Sequence, residues 1–357
     1  MENNIISYDN INNFPKISVI VACLNEEKYI EKCIVSLVEQ DYKGIFEIII
    51  SDGGSTDNTL QIVNSLIISH SNIKLIDNPG RYQSIGRNTA VSQCSSEYFA
   101  YLDAHRFAQK SWLSELWNCY YENSLKDEHI AGVGSIHLDA ADSDFSKAQE
   151  IAFQSIISGA TAANFLNYKE ADKVDHACMC LYNTKLFIEF GSYNPELIIG
   201  EDIELNHRIT YIYGYNIYLN PKAVNYYYPR ENFKDLFIQQ FKYGFWRQKV
   251  LKLLDSNKKS DKYNVNNPFL GMKLKTLVPG LFVGYVVLMF ILSIFYSPLF
   301  YIFCASILLY LTVITISSVI IGYKKRINPT ILIFVFVAIH FGYGSGVLNY
   351  ILRPKSI

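Results

Sequence analysis

At 357 residues the chain has ample apolar material for one large domain or two smaller ones. Its 32 Lys and Arg against 33 Asp and Glu leave a net charge of −1, without the basic excess that nucleic-acid binding calls for. The seven cysteines are odd in number and lack a C-x-x-C pair, which disfavours a disulfide framework or zinc site and favours reduced thiols.

Residues 1–14 are polar and Asn-rich and read as a flexible arm with no signal peptide. Ile17 to Cys23 is apolar, β-branched and too short for a helix, so it predicts a buried strand. Helical spacing of Ile30, Ile34, Leu37 and Val38 predicts a helix over Glu27 to Gln40. A second strand is expected at "FEIIISD", then a helix from Asp57 to Ile68 capped by Ser55 or Thr56. "IKLIDN" reads as a third strand, Ser84 to Ser92 as a helix and "YFAYLD" as a fourth strand. Strands alternating with helices imply an α/β domain whose sheet is mostly parallel and flanked by helices.

Ligands of such sheets gather beyond the carboxyl ends of the strands. The four strands end on Asn25-Glu26-Glu27, on Asp52 to Asp57, on Asn78-Pro79-Gly80-Arg81 and on Asp103-Ala104-His105. Polar and charged groups therefore converge on one rim. The chain lacks a G-x-x-x-x-G-K-[ST] phosphate loop, and no G-x-G-x-x-G follows the first strand. An acidic rim accepts a diphosphate when a divalent cation lies between the two. If the strand runs on through Asp103 and His105, both side chains point the same way and can grip one Mg²⁺ or Mn²⁺. His176-Ala177-Cys178-Met179-Cys180 has a metal-like composition, but its spacing is not that of a zinc site.

Three uncharged apolar runs follow: Leu277 to Tyr296, Pro298 to Ile321 and Thr330 to Leu352. Each is close to the about 20 residues that cross a bilayer. Eight Lys or Arg lie between Arg247 and Lys275, and Lys324-Lys325-Arg326 follows the second run. Positive flanks favour the cytoplasm, so the large N-terminal part is expected there. His340 and the glycines of "HFGYGSG" weaken the third run as a lipid-facing helix; two to three spans are expected. Before them, "FKDLFIQQFKYGFWRQKVLKLL" places Phe233, Leu236, Phe237, Phe241 and Trp246 among basic residues, the pattern of a helix on a bilayer surface.

The segments "VACLNEEKYIEKCIVSLVEQ", "EIIISDGGSTDNT", "GRNTAV", "LDAH" and "GEDIELNHRI" together resemble family 2 glycosyltransferases, inverting enzymes of the GT-A nucleotide-diphospho-sugar transferase fold. The resemblance covers residues 16 to 250. The Asp-Ala-His form and "QQFKYGFWR" are most similar to the bacterial exopolysaccharide (succinoglycan-type) branch, whose members carry C-terminal membrane segments. It implies four regions: the arm at 1–14, a GT-A catalytic domain at 15–230, a basic interfacial segment at 231–276 and a membrane region at 277–357.

The resemblance also implies roles. Asn25 and Glu26 lie where the family contacts the nucleoside, and Asp52 where a uracil or its ribose is held; Asp57 reads as a helix cap. Arg81 and Arg87 flank the donor sugar and its phosphates. Asp103 and His105 match the Asp-x-Asp metal motif, with His replacing the second Asp, and Asp103 also meets the donor. Asp202 is the base that takes the acceptor proton, and Glu201 helps to position the acceptor. Gln239 to Tyr243 is similar to the Gln-x-x-Arg-Trp motif of processive synthases, so Gln240, Lys242, Trp246 and Arg247 are candidates for gripping the diphosphate or acceptor. The expected activity is a hexosyltransferase-type transfer from a nucleotide sugar, a UDP-sugar by Asp52, to a polyprenyl-diphosphate-linked oligosaccharide at the cell membrane in surface polysaccharide assembly. A processive synthase, whose spans a homo-oligomer would supplement, and a non-catalytic membrane scaffold are the alternative readings.

Overall fold

The computed structural model describes residues 14–158, 168–256 and 269–353. Most of the expected N-terminal arm, residues 159–167, and residues 257–268 of the basic stretch lie outside the described residues.

The chain begins with β1 (Ile17–Cys23), α1 (Ile30–Val38), β2 (Phe46–Asp52), α2 (Thr59–Ser69), β3 (Ile73–Asp77), α3 (Gln83–Ser92) and β4 (Tyr98–Tyr101). Both faces of β1 and β2 are covered, which is why they read as near-continuous Ile and Val runs. Helix α1 buries Ile30, Cys33, Ile34 and Leu37, the 3–4 spacing of one face. Each such side chain contributes about 1.5–3 kcal/mol by leaving water.

After β4 come β5 (Arg106–Ala108), α4 (Trp112–Ser124), β6 (Ile130–Asp139), α5 (Asp144–Phe153), β7 (Asp172–Val174), β8 (Cys178–Asn183), α6 (Thr184–Glu189), α7 (Glu201–His207) and β9 (Asn216–Tyr227). The nine strands form one sheet in the order β3-β2-β1-β4-β8-β6-β9-β5, with β7 paired to β9. Strands β3, β2, β1 and β4 are mutually parallel. β8 then runs antiparallel to both β4 and β6, so the sheet as a whole is mixed. Asn183, the end of β8, pairs with Tyr98 at the start of β4, so β8 enters from the rim end of the parallel half.

Two local expectations change. Neither Ser55 nor Thr56 caps α2, which starts at Thr59; Ser55 and Thr56 are bound to Asp52 and Asn25 instead. Asp57 accepts from the Thr59 amide at 3.0 Å and its hydroxyl at 2.6 Å, a cap-like role. β4 ends at Tyr101, and the Arg106 amide donates to the Asp103 carbonyl at 3.0 Å. The chain therefore turns at Asp103, and the premise of an extended backbone through His105 does not hold.

The C-terminal part consists of α8 (Phe233–Ser256), α9 (Phe269–Phe295), α10 (Ser297–Lys325) and α11 (Pro329–Leu352). Among the described residues, three helices are long and apolar enough to cross a membrane: Thr276–Phe295, Ser297–Lys325 and Pro329–Leu352. The first two expose most of their apolar surface, whereas half of the third is buried. The glycines of α11 explain that burial. A Cβ on Gly346 would lie 2.0 Å from the Phe241 carbonyl oxygen, and one on Gly342 would lie 2.8 Å from that of Phe237. Small residues thus let α8 and α11 touch backbone to backbone. His340 is likewise a packing residue, with Nε2 at 2.8 Å from the Ile157 carbonyl oxygen and Nδ1 at 3.1 Å from the Tyr310 hydroxyl.

Candidate active site

Four strand ends and the start of α7 meet at one place. At the end of β1, Asn25 adopts a left-handed backbone (φ 56°), which Asn tolerates better than most residues. Its amide donates to Ser55 Oγ at 2.9 Å, and its Oδ1 accepts from the Thr56 amide at 2.8 Å. Asp52, at the end of β2, shapes the same loop: Oδ2 accepts from the amides of Gly54 and Ser55, each at 2.9 Å, and Oδ1 accepts from Ser55 Oγ at 2.5 Å. Gly53 sits tight against the β3 end, since a Cβ there would lie 2.7 Å from the Arg81 carbonyl oxygen. Arg81 also has a left-handed backbone (φ 64°), and its side chain is exposed.

Arg87 is not a solvated charge on a helix face but a buried one. Its Nη2 donates to Asp103 Oδ1 at 2.5 Å and its Nη1 to Glu201 Oε1 at 2.7 Å. Its guanidinium lies over the ring of Tyr101, 4.1 Å from the centroid. The other Asp103 oxygen accepts from Arg106 Nε at 3.1 Å. Burial raises the Asp103 pKa, but Arg87 and Arg106 outweigh it and hold the carboxyl at about 2. Arg106 Nη1 continues to Asn225 Oδ1 at 3.0 Å, and Asn225 Nδ2 donates to Ser135 Oγ at 2.9 Å. Glu201 also accepts from Gln83 Nε2 at 2.5 Å. Burial pushes its pKa above the ordinary carboxylate range, partly opposed by Arg87.

His105, beside this cluster, has a different partner. Its Nδ1 is 3.2 Å from Glu26 Oε1, and both side chains reach solvent. Asp202 is also accessible: Oδ1 accepts from the Ile203 amide at 2.8 Å, and Oδ2 lies 4.0 Å from His176 Nε2.

The α8 candidates diverge. Gln240 and Trp246 are buried, Lys242 is exposed and Arg247 is half-buried. Trp246 packs with Leu197, Val250 and Leu254. Leu236 packs with α11 and α5, so these two apolar side chains of α8 meet protein. Arg247 is near enough to His176 for its charge to act on the imidazole.

Of the groups that complete the cluster, sequence reasoning missed Gln83, Arg106, His176, Asn206 and Asn225. Arg106 adjoins the Asp103 motif, and His176 lay in the segment set aside as an unsuitable zinc site; the others carried no local signal.

An imidazole beside a carboxylate at an accessible rim fits a hard divalent cation that takes its other ligands from a diphosphate and water. Among the described residues no group of three or more His, Cys, Asp or Glu gathers to hold a metal. Glu26 and His105 thus suit a site completed by substrate, while both oxygens of Asp103 are held by arginines.

Comparison with known proteins identifies the family and the fold. The family model "Glycosyl transferase family 2" matches residues 18–190. The chain is 31% identical over 233 residues to a dolichyl N-acetyl-α-D-glucosaminyl phosphate 3-β-D-2,3-diacetamido-2,3-dideoxy-β-D-glucuronosyltransferase of Methanococcus voltae, covering 64% of this chain and 71% of that protein. It is 30% identical over 236 residues to the succinoglycan biosynthesis protein ExoA of Rhizobium meliloti, covering 65% and 68%. Its fold is similar to that of a mannosyltransferase of Pyrobaculum calidifontis solved with GDP-Man and Mn²⁺ (TM-score 0.60, 15% identity, 97% of this chain and 89% of that one). The fold is GT-A, and the chain belongs to glycosyl transferase family 2, as a glycosyltransferase with relatives in polysaccharide and lipid-linked glycan synthesis.

Proposed function

We propose that the protein is a membrane-anchored inverting glycosyltransferase that moves a sugar from a nucleotide sugar, a UDP-sugar by the position of Asp52, to a lipid-linked oligosaccharide in surface polysaccharide assembly. The observation that carries this reading is the convergence of Glu26, His105, Asp103, Arg87, Glu201 and Asp202 at one rim. The Methanococcus relative, whose name specifies a dolichyl phosphate-linked substrate, supports the acceptor class.

In this reading Asn25, the loop shaped by Asp52, and Arg81 bind the nucleoside and its phosphates. Glu26 and His105 would hold a Mg²⁺ or Mn²⁺ ion, which when bound offsets the charge of the departing nucleoside diphosphate. Arg87 fixes Asp103 and Glu201 relative to one another, so the donor and acceptor halves keep one geometry. Asp202 Oδ2 takes the proton of the acceptor hydroxyl. The acceptor oxygen forms a bond to the anomeric carbon as the bond from that carbon to the diphosphate oxygen breaks, inverting the centre. General-base help of this kind contributes about 10²–10⁴-fold.

The regions follow: a catalytic domain at 15–230, an interfacial segment at 231–276 and a membrane region at 277–357, with the catalytic domain cytoplasmic. Lys242 and Arg247 on α8 lie at the headgroup boundary, where lipid-borne pyrophosphate arrives. The test is to incubate detergent-solubilised protein with lipid-linked acceptors and a panel of nucleotide sugars, with Mn²⁺ or Mg²⁺, and to score free nucleotide. Donor-selective, acceptor-dependent release supports the reading; no release with any pair removes it.

A further inference from the structure

His176 belongs to no role assigned above, yet its imidazole stands beside Asp202. Its tautomer can be derived from its neighbours. Asn206 is fully buried at the end of α7. Its Nδ2 lies 2.6 Å from the Ala177 carbonyl oxygen, which can only accept, and its Oδ1 lies 2.7 Å from the Tyr182 hydroxyl. These two contacts fix which end of the amide is nitrogen. That nitrogen is 3.1 Å from His176 Nδ1, so Nδ1 accepts and the proton of the neutral ring sits on Nε2. Nε2 in turn faces Asp202 Oδ2 at 4.0 Å. The other carboxylate oxygen is bound to the Ile203 amide, so Oδ2 is the oxygen left for the acceptor proton.

We propose that His176 is a positioning residue for the reaction: its Nε2–H, held in that tautomer by Asn206, aims the Asp202 carboxylate at the acceptor hydroxyl. This rests on the reading of Asp202 as base. The gap is about 1 Å longer than a hydrogen bond, so the N–H acts on the carboxylate as a dipole across it. Burial lowers the His176 pKa, with Arg247 adding to it and Asp202 opposing it, so the ring stays neutral and the N–H remains a directed dipole. Besides Glu201 and His176, the ionisable groups facing Asp202 are Tyr101, Cys178, Cys180, Tyr182 and Tyr193, all kept neutral by burial.

The test uses the full chain in detergent, with donor and acceptor each varied while the other is saturating. His176→Phe keeps a ring without the donor, and His176→Gln keeps an N–H near the Nε2 position. The expected result is a 10- to 100-fold lower kcat in His176→Phe, an unchanged KM for donor and an acidic limb of the rate profile shifted to higher pH. His176→Gln restores most of the rate. Equal loss in both variants, or wild-type kcat in His176→Phe, overturns the inference; a loss of rate that follows a lowered Tm in both shows a structural role and also overturns it. Asp202→Asn, measured alongside, separates the two claims. Its activity remaining at wild-type level removes the base itself, whereas its inactivity with a fully active His176→Phe removes only the role of His176.

Discussion

Arg87 joins Asp103 and Glu201, residues far apart in the sequence, with one guanidinium nitrogen at 2.5 Å from the first and the other at 2.7 Å from the second. Both carboxylates and the guanidinium are almost shut off from solvent. A buried charge left without its partner costs far more than the pair contributes when intact. Arg87→Leu is therefore expected to destabilise the catalytic domain by about 3–5 kcal/mol, read from chemical denaturation. Arg87→Lys should retain part of the stability and little activity, because an ammonium cannot serve two carboxylates through a planar fork.

The same network sets an acid limit. The Asp103 pKa in the folded protein, about 2, lies below its ordinary value of 3.8. The unfolded chain thus binds the proton more readily. The stabilisation is complete above the unfolded value and is lost as pH falls through the folded one, a term on the order of 2 kcal/mol. Denaturation midpoints measured from pH 5 to pH 2 should fall more steeply in wild type than in Asp103→Asn, which lacks this titration.

Gly53 offers a test of the nucleotide end. Adding a methyl group there places carbon 2.7 Å from the Arg81 carbonyl oxygen, backbone that cannot rotate away. Gly53→Ala should displace the Asn78 to Arg81 turn and cost about 1–3 kcal/mol. Calorimetric titration with nucleoside diphosphate should show weaker binding, with melting temperature as the control.

Helix α11 makes a comparable prediction for the C-terminal bundle. Gly346→Leu would drive a side chain into the Phe241 backbone, 2.0 Å away at the first carbon. The variant should lose the α8–α11 contact and lower the melting temperature in detergent, while a Leu at exposed Val319 on α10 should leave it unchanged.

How much of this was legible depends on the range of the cause. β1 and β2 lie where the segments "ISVIVAC" and "FEIIISD" place them, because burial on both faces is written in consecutive residues. The rim of polar strand ends followed from their shared polarity. The partners of Arg87 did not: Glu201 is 114 positions away in sequence, and only the folded chain brings it near. β6 and β9 were missed because their register shifts, and residues such as Gly132, Gly134 and Asn220, break the strand pattern. On α8, the apolar residues expected at lipid include Leu236 and Trp246, which are buried by protein; amphipathicity marks a covered face without naming what covers it.

The most direct measurement of the central claim compares wild type with Asp202→Asn for acceptor-dependent nucleotide release, with donor binding measured on the same samples. The account predicts that the variant binds donor as wild type does and loses about 10²–10⁴-fold in rate. Transfer at the wild-type rate by Asp202→Asn would contradict it.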